Sequence, residues 1–204
     1  MRKFDIPAQR FRAADSSEDA KAHLSVQTRR AARVLWAVVT TSVLRIQGCP
    51  KLPSLPPLSH CISLNHLHII NCKNLSSLPP ILHSLLSLHS LSILSCPNLH
   101  SLPETLGQLP KLSYLEIRSC RSLVSLPSSL SLLSTLSSLK IAWCCKLTSL
   151  PPNMDHLTSL TSISLIGLPS LRTPSPSPSA SPGRFFPASA ARMLSAAAQE
   201  LPAG

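Results

Sequence analysis

Cysteine and histidine are the residues of this chain that could hold a metal or act as nucleophiles. The chain has 7 cysteines and 8 histidines among 204 residues. Five cysteines recur with a period of about 24 residues, which matches no zinc-ligand spacing, and no Cys-x-x-Cys pair occurs. Five equivalent thiols cannot pair evenly, so we expect reduced cysteines and a cytoplasmic protein. The periodic set is Cys49, Cys72, Cys96, Cys120 and Cys144.

The two remaining cysteines are expected to differ from each other. Cys61 stands where other repeats have leucine, so we interpret it as a small core residue. Cys145 follows Cys144 directly, and adjacent residues of an extended segment point to opposite sides. We therefore expect Cys145 to be exposed and to be the reactive thiol.

The histidines and the known catalytic motifs give no sign of an active site. His66 and His68 lie close together and His89 lies one repeat later. The sequence indicates neither a further metal ligand held close to them nor residues that would orient the histidines toward a metal. Phosphate-binding loops, the Gly-x-Ser-x-Gly elbow and His-Glu-x-x-His are missing from the sequence. We therefore predict a protein that is not an enzyme, with no catalytic, cofactor-binding or metal-binding residue and no small-molecule substrate.

The cysteines belong to an internal repeat. Short Leu-x-Ile segments begin at nearly equal steps, with a period of about 24 residues, and a sixth segment continues the series as Ile-Ser-Leu. A cysteine follows each of the first five, and a Leu-Pro pair closes each of these units. The segments begin at Leu44, Leu67, Leu91, Leu115, Leu139 and Ile163. This recurrence predicts a repeat architecture.

Each position of the repeat has a physical interpretation. Alternating apolar residues indicate a short strand with one buried face, and one such strand cannot bury that face alone. Return segments with leucine at every third position, as in Leu106, Leu109 and Leu112, indicate 3₁₀-like turns. We therefore predict an α/β repeat fold, a leucine-rich-repeat solenoid with parallel strands on the concave face and an irregular or 3₁₀ convex side.

The repeats define three parts of the chain. Residues 1–40 are predicted to be a non-repeat segment, partly helical from Ala31. Residues 41–172 are the solenoid of about 5.5 repeats, which decays where Leu168 replaces cysteine. Residues 173–204 are rich in Pro, Ser and Ala and are predicted to be disordered. The solenoid lacks the polar capping units of terminal repeats, so it resembles a piece of something longer.

Composition limits the choice of partners. The net charge is +11, aromatic residues make up 3% of the chain and no nucleic-acid motif is present, so we expect no nucleic-acid partner. The apolar segment that begins near Ala31 contains Arg33 and Arg45 and is shorter than a bilayer span, so no membrane span is expected. We expect a protein partner, because a solenoid presents an extended concave surface for binding.

The outward positions of the strands predict where such a partner would bind. Ile70 and Leu94 are neighbouring apolar residues on the solvent side. A second group contains residue types common in interface hot spots, and Glu116 and Lys140 within it are expected to form a surface ion pair. The second group is Tyr114, Glu116, Arg118, Lys140 and Trp143.

The pattern Leu-x-x-Leu-x-Ile-x-x-Cys-x-x-Leu-x-x-Leu-Pro, over residues 44–172, resembles the repeats of plant intracellular nucleotide-binding leucine-rich-repeat disease-resistance proteins. The resemblance implies recognition of a pathogen effector or a host protein during defence. The nucleotide-binding domain of that family is missing from this sequence. Two alternatives remain: an intracellular scaffold or substrate-recruiting subunit without a role in immunity, and a secreted enzyme inhibitor.

Overall fold

The computed structural model of the chain describes residues 23–26, 42–55, 58 and 61–172. Its main element is one parallel sheet of seven strands, in which each strand pairs with the next along the chain. The strands are β1 His23–Val26, β2 Val43–Gln47, β3 His66–Ile70, β4 Ser90–Leu94, β5 Tyr114–Arg118, β6 Ser138–Ala142 and β7 Ser162–Ile166.

The predicted strands and their register are confirmed for β2 to β7. Each repeat pairs with the next without a shift, so that Leu91 lies beside Leu115 and Leu115 beside Leu139. A constant period gives this result because a slip of the register by a single position would turn every side chain to the other face. The outward residues therefore form continuous columns across the sheet.

Strand β1 was not predicted. Leu24 pairs with Leu44 and Val26 with Ile46, so a strand lies inside the segment that the sequence analysis treated as free of repeats. The step from Leu24 to Leu44 is shorter than the later steps, which explains why a search for the common period misses it. The remainder of residues 1–40, including the helix predicted from Ala31, lies outside the described residues, as does the tail from residue 173.

The core is a stack of leucine and isoleucine layers behind the sheet. In each of the central repeats the two inward strand residues are fully buried, as Leu115 and Ile117 are in β5. The convex leucines at every third position are also buried, among them Leu106 and Leu109. Since one repeat cannot enclose these side chains, each layer is covered only by its neighbours.

The predicted 3₁₀ turns form the convex side. Each begins after a proline or an asparagine and is followed by a leucine whose backbone N–H bonds back into the turn. Their bounds are Pro80–Ser84, Glu104–Gln108, Ser128–Leu132 and Met154–His156. Within the described residues, no helix has the length and apolar character needed to cross a membrane.

Side chains and backbone join these turns across repeats. The Glu104 carboxylate accepts hydrogen bonds from the backbone N–H of Ser129 at 3.0 Å and of Ser128 at 3.2 Å. These bonds hold the pKa of Glu104 below its usual range. Gly107 lies against the backbone of Ser129, where a Cβ atom would clash. Glu104 and Gly107 therefore fix the spacing of two neighbouring turns.

Candidate functional site

The candidate site is the concave face, where the outward strand residues of successive repeats lie side by side. Tyr114 pairs with Ser138, Glu116 with Lys140 and Arg118 with Ala142. Parallel strands lie about 4.8 Å apart, so these neighbours are close enough for direct contact. The strand register thus places the predicted outward positions of neighbouring repeats side by side.

Three side chains of β5 form one connected group. The Tyr114 hydroxyl donates a hydrogen bond to Glu116 Oε2 at 3.0 Å, and Arg118 Nη2 lies 3.6 Å from Glu116 Oε1. Residues two apart on a strand point to the same side, which is why Tyr114, Glu116 and Arg118 meet. Glu116 is 18% exposed and Arg118 is 55% exposed, so the carboxylate lies low in the face and the guanidinium reaches outward.

Lys140 joins this group through the aromatic ring. Its Nζ atom lies 5.3 Å from the centroid of the Tyr114 ring, within the range of a cation–π contact. The expected ion pair between Glu116 and Lys140 is therefore wrong: Glu116 pairs with Arg118 on its own strand, and Lys140 lies over Tyr114. We call Tyr114, Glu116, Arg118 and Lys140 the strand cluster.

The strand cluster changes the acidity of its tyrosine. Burial raises the pKa of Tyr114, and the hydrogen bond to Glu116 and its negative charge raise it further. Lys140 acts in the opposite direction because a nearby cation favours the phenolate. The neutral hydroxyl is therefore held in place as a donor to Glu116.

Trp143 lies at a different place from the strand cluster. It follows β6 in the turn at the carboxyl end of the sheet, with φ of 58°. Five strand positions of about 3.3 Å separate its level from that of Tyr114. Its ring packs against Gly167, where an added Cβ atom would collide with it. The structure therefore does not bring Trp143 into the strand cluster.

The turn that holds Trp143 is a recurring left-handed corner. One residue after each of β2 to β7 has a positive φ between 54° and 64°, and the residue types are small or polar except in one case. Large side chains rarely adopt this conformation, so Trp143 is the exception. The corner residues are Gly48, Asn71, Ser95, Ser119, Trp143 and Gly167. We call this edge of the sheet the corner edge.

Trp143 has an exposed apolar neighbour that the sequence analysis missed. Its side chain is 55% exposed, and Ile166, at the end of β7, is 50% exposed. The Trp143 N–H donates to the Ile166 carbonyl at 2.8 Å, so these two residues adjoin. Ile166 lies in an outward column, and its exposure follows from its place on the last described strand.

Ile70 and Leu94 are paired neighbours on β3 and β4, as predicted. Both are only partly exposed. Ser92, also on the outward side of β4, is only 3% exposed, so neighbouring side chains cover this part of the concave face. These residues offer less apolar surface than Trp143 and Ile166.

The periodic cysteines lie just behind the corner edge. Each thiol lies 3.5–3.6 Å from the carbonyl of the residue two places earlier, as Cys120 does with Arg118, and all five are buried. Burial raises the pKa of the Cys49 thiol to about 11 and that of Cys120 to about 12. The five thiols fill space and bind carbonyls, and the high pKa makes Cys49 and Cys120 poor nucleophiles. Hydrogen bonding to a neighbouring thiol lowers the pKa of Cys72 to about 7. Cys145 is exposed and Cys61 is buried, as predicted.

The described residues contain no group of three or more His, Cys, Asp or Glu side chains that could hold a metal ion. His66 is exposed and His68 is half-buried on β3. His89 precedes β4, and its Nδ1 atom lies 2.7 Å from the Ser87 carbonyl. The three histidines thus occupy the positions that the repeat predicts.

Comparison with known proteins supports the fold. No family model matches the chain, and no curated protein sequence matches it at a significant level. Among solved structures, the chain is similar to the leucine-rich repeat domain of the type III effector XopL, with 27% identity and a TM-score of 0.51. The match covers 65% of this chain and 54% of that one, so this chain spans about half of that structure.

A second structure, the plant peptide hormone receptor RGFR1 in complex with RGF2, has 17% identity and a TM-score of 0.17. That match covers 63% of this chain and 40% of the receptor chain. A TM-score this low does not show a shared arrangement of repeats. The strand order, the 3₁₀ convex turns and the likeness to the effector domain together show that the described chain is a leucine-rich-repeat solenoid.

Proposed function

We propose that this solenoid is a non-catalytic protein-recognition module that binds a protein partner on its concave face. The observation that carries the proposal is the strand cluster. Tyr114 is held between Glu116 and Lys140, and Arg118 reaches outward from the same carboxylate. Tyrosine and arginine are enriched in interface hot spots, and side chains already held in place lose less entropy on binding.

Trp143 and Ile166 extend the proposed surface toward the corner edge. Both are about half exposed, and Trp143 keeps a conformation that is unfavourable for a large side chain. Strained residues that persist in a structure are often found at functional sites. The strand cluster would supply polar contacts to a partner, and Trp143 and Ile166 would supply the apolar ones.

The finer proposal is that the module serves plant defence in the cytoplasm. Its support is the repeat pattern with cysteine after Leu-x-Ile and the closing Leu-Pro, which resembles plant disease-resistance receptors. The buried cysteines form no disulfide with one another, which agrees with a reducing compartment. The partner would then be a pathogen effector or a host protein.

The first experiment uses the full chain to isolate a partner from plant tissue, followed by affinity measurement with the purified partner. We expect Arg118→Ala and Trp143→Ala each to weaken binding about 30-fold, the effect of a hot spot of about 2 kcal/mol. His156→Ala, an exposed substitution on the convex side, is the control and should leave affinity unchanged. Equal affinity for all four proteins would refute the concave-face assignment.

The second experiment tests the role in defence. The chain would be expressed in leaves together with candidate effectors, and host cell death would be scored against Arg118→Ala. We expect a response that depends on both the effector and Arg118. A partner that binds through Arg118 but belongs to a process outside immunity would favour the scaffold alternative, while leaving the protein-binding proposal intact.

A further inference from the structure

A shallow groove of about 310 Å³ lies along the corner edge, away from the strand cluster. It crosses three repeats, and its walls are the corner residues together with the residue that follows each cysteine. A cation stands at each end, and uncharged residues lie between them. The lining residues are Asn71, Lys73, Ser95, Pro97, Ser119 and Arg121.

The polar side chains of the groove have no partners in the described part of the chain. Among the described residues, neither Lys73 nor Arg121 has an ion-pair partner, and none accepts from or donates to the side chains of Asn71, Ser95 or Ser119. The groove therefore offers two uncompensated positive charges together with hydroxyl and amide donors. Such a combination is suited to an anion.

The surroundings of the groove are basic as well. Two further lysines lie close to the cysteines of other repeats on the same edge, Lys51 after Cys49 and Lys146 after Cys144. The acidic residues of the described chain lie elsewhere: Glu116 within a strand, and Glu104 and Asp155 in convex turns. No carboxylate of the described residues therefore competes with an incoming anion at this edge.

We propose that this groove binds the phosphate group of a phosphorylated peptide. Lys73 and Arg121 are two repeats apart, about 10 Å along the edge, so both long side chains can reach one group placed between them. The position between them carries Ser95 and Ser119 hydroxyls and no charge, which favours one dianion over a row of separate carboxylates. A phosphate monoester has a charge near −2 and three acceptor oxygens, matching two cations and several donors.

A peptide fits this groove better than a nucleic acid does. The lining residues include no aromatic side chain on which a base could stack, whereas single-stranded nucleic acid binding relies on such stacking. The groove also adjoins the outward column that contains Ile70, Leu94 and Arg118. A protein partner on the concave face could therefore place a phosphorylated segment over the corner edge.

The test uses the full chain and a fluorescent pool of short peptides with a central phosphoserine and degenerate flanks. Pools with serine or glutamate at the centre serve as comparisons. We expect the phosphoserine pool to bind at least about tenfold more tightly than either. Its affinity should fall as the pH drops below about 6, where the phosphate gains a proton.

The variant for this test is the double substitution Lys73→Glu and Arg121→Glu, which should abolish the preference for phosphoserine. The matched control is Lys111→Glu with Arg172→Glu, which changes the net charge equally at two exposed residues outside the groove. If the two glutamate substitutions in the groove prevent folding, the variant Lys73→Gln with Arg121→Gln is used instead. A preference that survives removal of both cations would overturn the proposal.

Competition distinguishes the source of the phosphate. Inorganic phosphate should displace the peptide only weakly, since it lacks the peptide contacts. Equal affinity for inorganic phosphate, or displacement by a short single-stranded RNA at the same concentration as the peptide, would contradict a phosphopeptide site. This result is independent of the Arg118→Ala and Trp143→Ala experiment, because the double variant changes neither the strand cluster nor Trp143.

Discussion

The two sides of each strand in this solenoid follow different rules. On the inward side, the residue type is the same in successive repeats, as with Leu91, Leu115 and Leu139, and these side chains are fully buried. On the outward side, serine, tyrosine, glutamate and lysine replace one another at equivalent positions. An inward residue must fit identical neighbours above and below, whereas an outward residue meets only solvent or a partner. The contacts that stabilise the fold therefore recur in every repeat, whereas the residues available for recognition differ from one repeat to another.

The largest expected difference in stability is between substitutions at two adjacent residues of β5, one inward and one outward. Leu115→Ala leaves a cavity inside the central layers and should lower the free energy of unfolding by about 2–5 kcal/mol, as measured by urea denaturation. Glu116→Ala removes an outward side chain that contacts Tyr114 and Arg118, and should cost under about 1 kcal/mol. Similar losses for both variants would contradict the division between the two sides of the strand.

A smaller effect is expected at Gly107, a convex position whose residue type does not repeat. Gly107→Ala would force a Cβ atom against the Ser129 backbone and should cost about 1–3 kcal/mol, measured by the same denaturation. Gly48→Ala is the control: it has a positive φ but open space around it, so only the backbone penalty of about 1 kcal/mol applies. An unchanged stability for Gly107→Ala would show that the turns can move apart.

The smallest expected effect is a shift in the pKa of Tyr114, on the outward side of β5. Tyr114 is the single tyrosine of the chain, so absorbance titration of the phenolate reports on it alone. Glu116→Gln should lower the pKa of Tyr114, because the carboxylate raises it. Lys140→Ala should raise that pKa, since the ammonium group stabilises the phenolate. A pKa that responds to neither substitution would mean that the strand cluster does not form in solution.

At the corner edge, buried residues that repeat lie beside exposed residues that vary. Its cysteines repeat and are buried, while the residues just outside them vary from glycine to tryptophan. The thiols bind carbonyls at 3.5–3.6 Å and so hold the turn that presents the variable residue. A repeated buried contact thus positions a surface residue whose type varies among the repeats.

Sequence alone was sufficient for the period, the fold class, the strand register and the division between inward and outward residues. These follow from a constant repeat, because a pattern of constant length aligns every equivalent position once the strands are parallel. The exposure of Cys145 and the burial of Cys61 follow from the same pattern. Strand β1 escaped prediction since its spacing to β2 differs from that period.

Tertiary structure alone decided which outward side chains touch. Glu116 could have paired with Lys140 across strands, but it pairs with Arg118, and Lys140 lies over Tyr114. Trp143 could not be placed by alternation, because the strand ends one residue earlier and the chain turns through a left-handed corner. The groove between Lys73 and Arg121 arises from three successive repeats that the fold stacks side by side. The repeat period and the alternation of apolar and polar residues determine the path of the backbone. Side-chain pairing depends on rotamers and distances that only the folded chain defines.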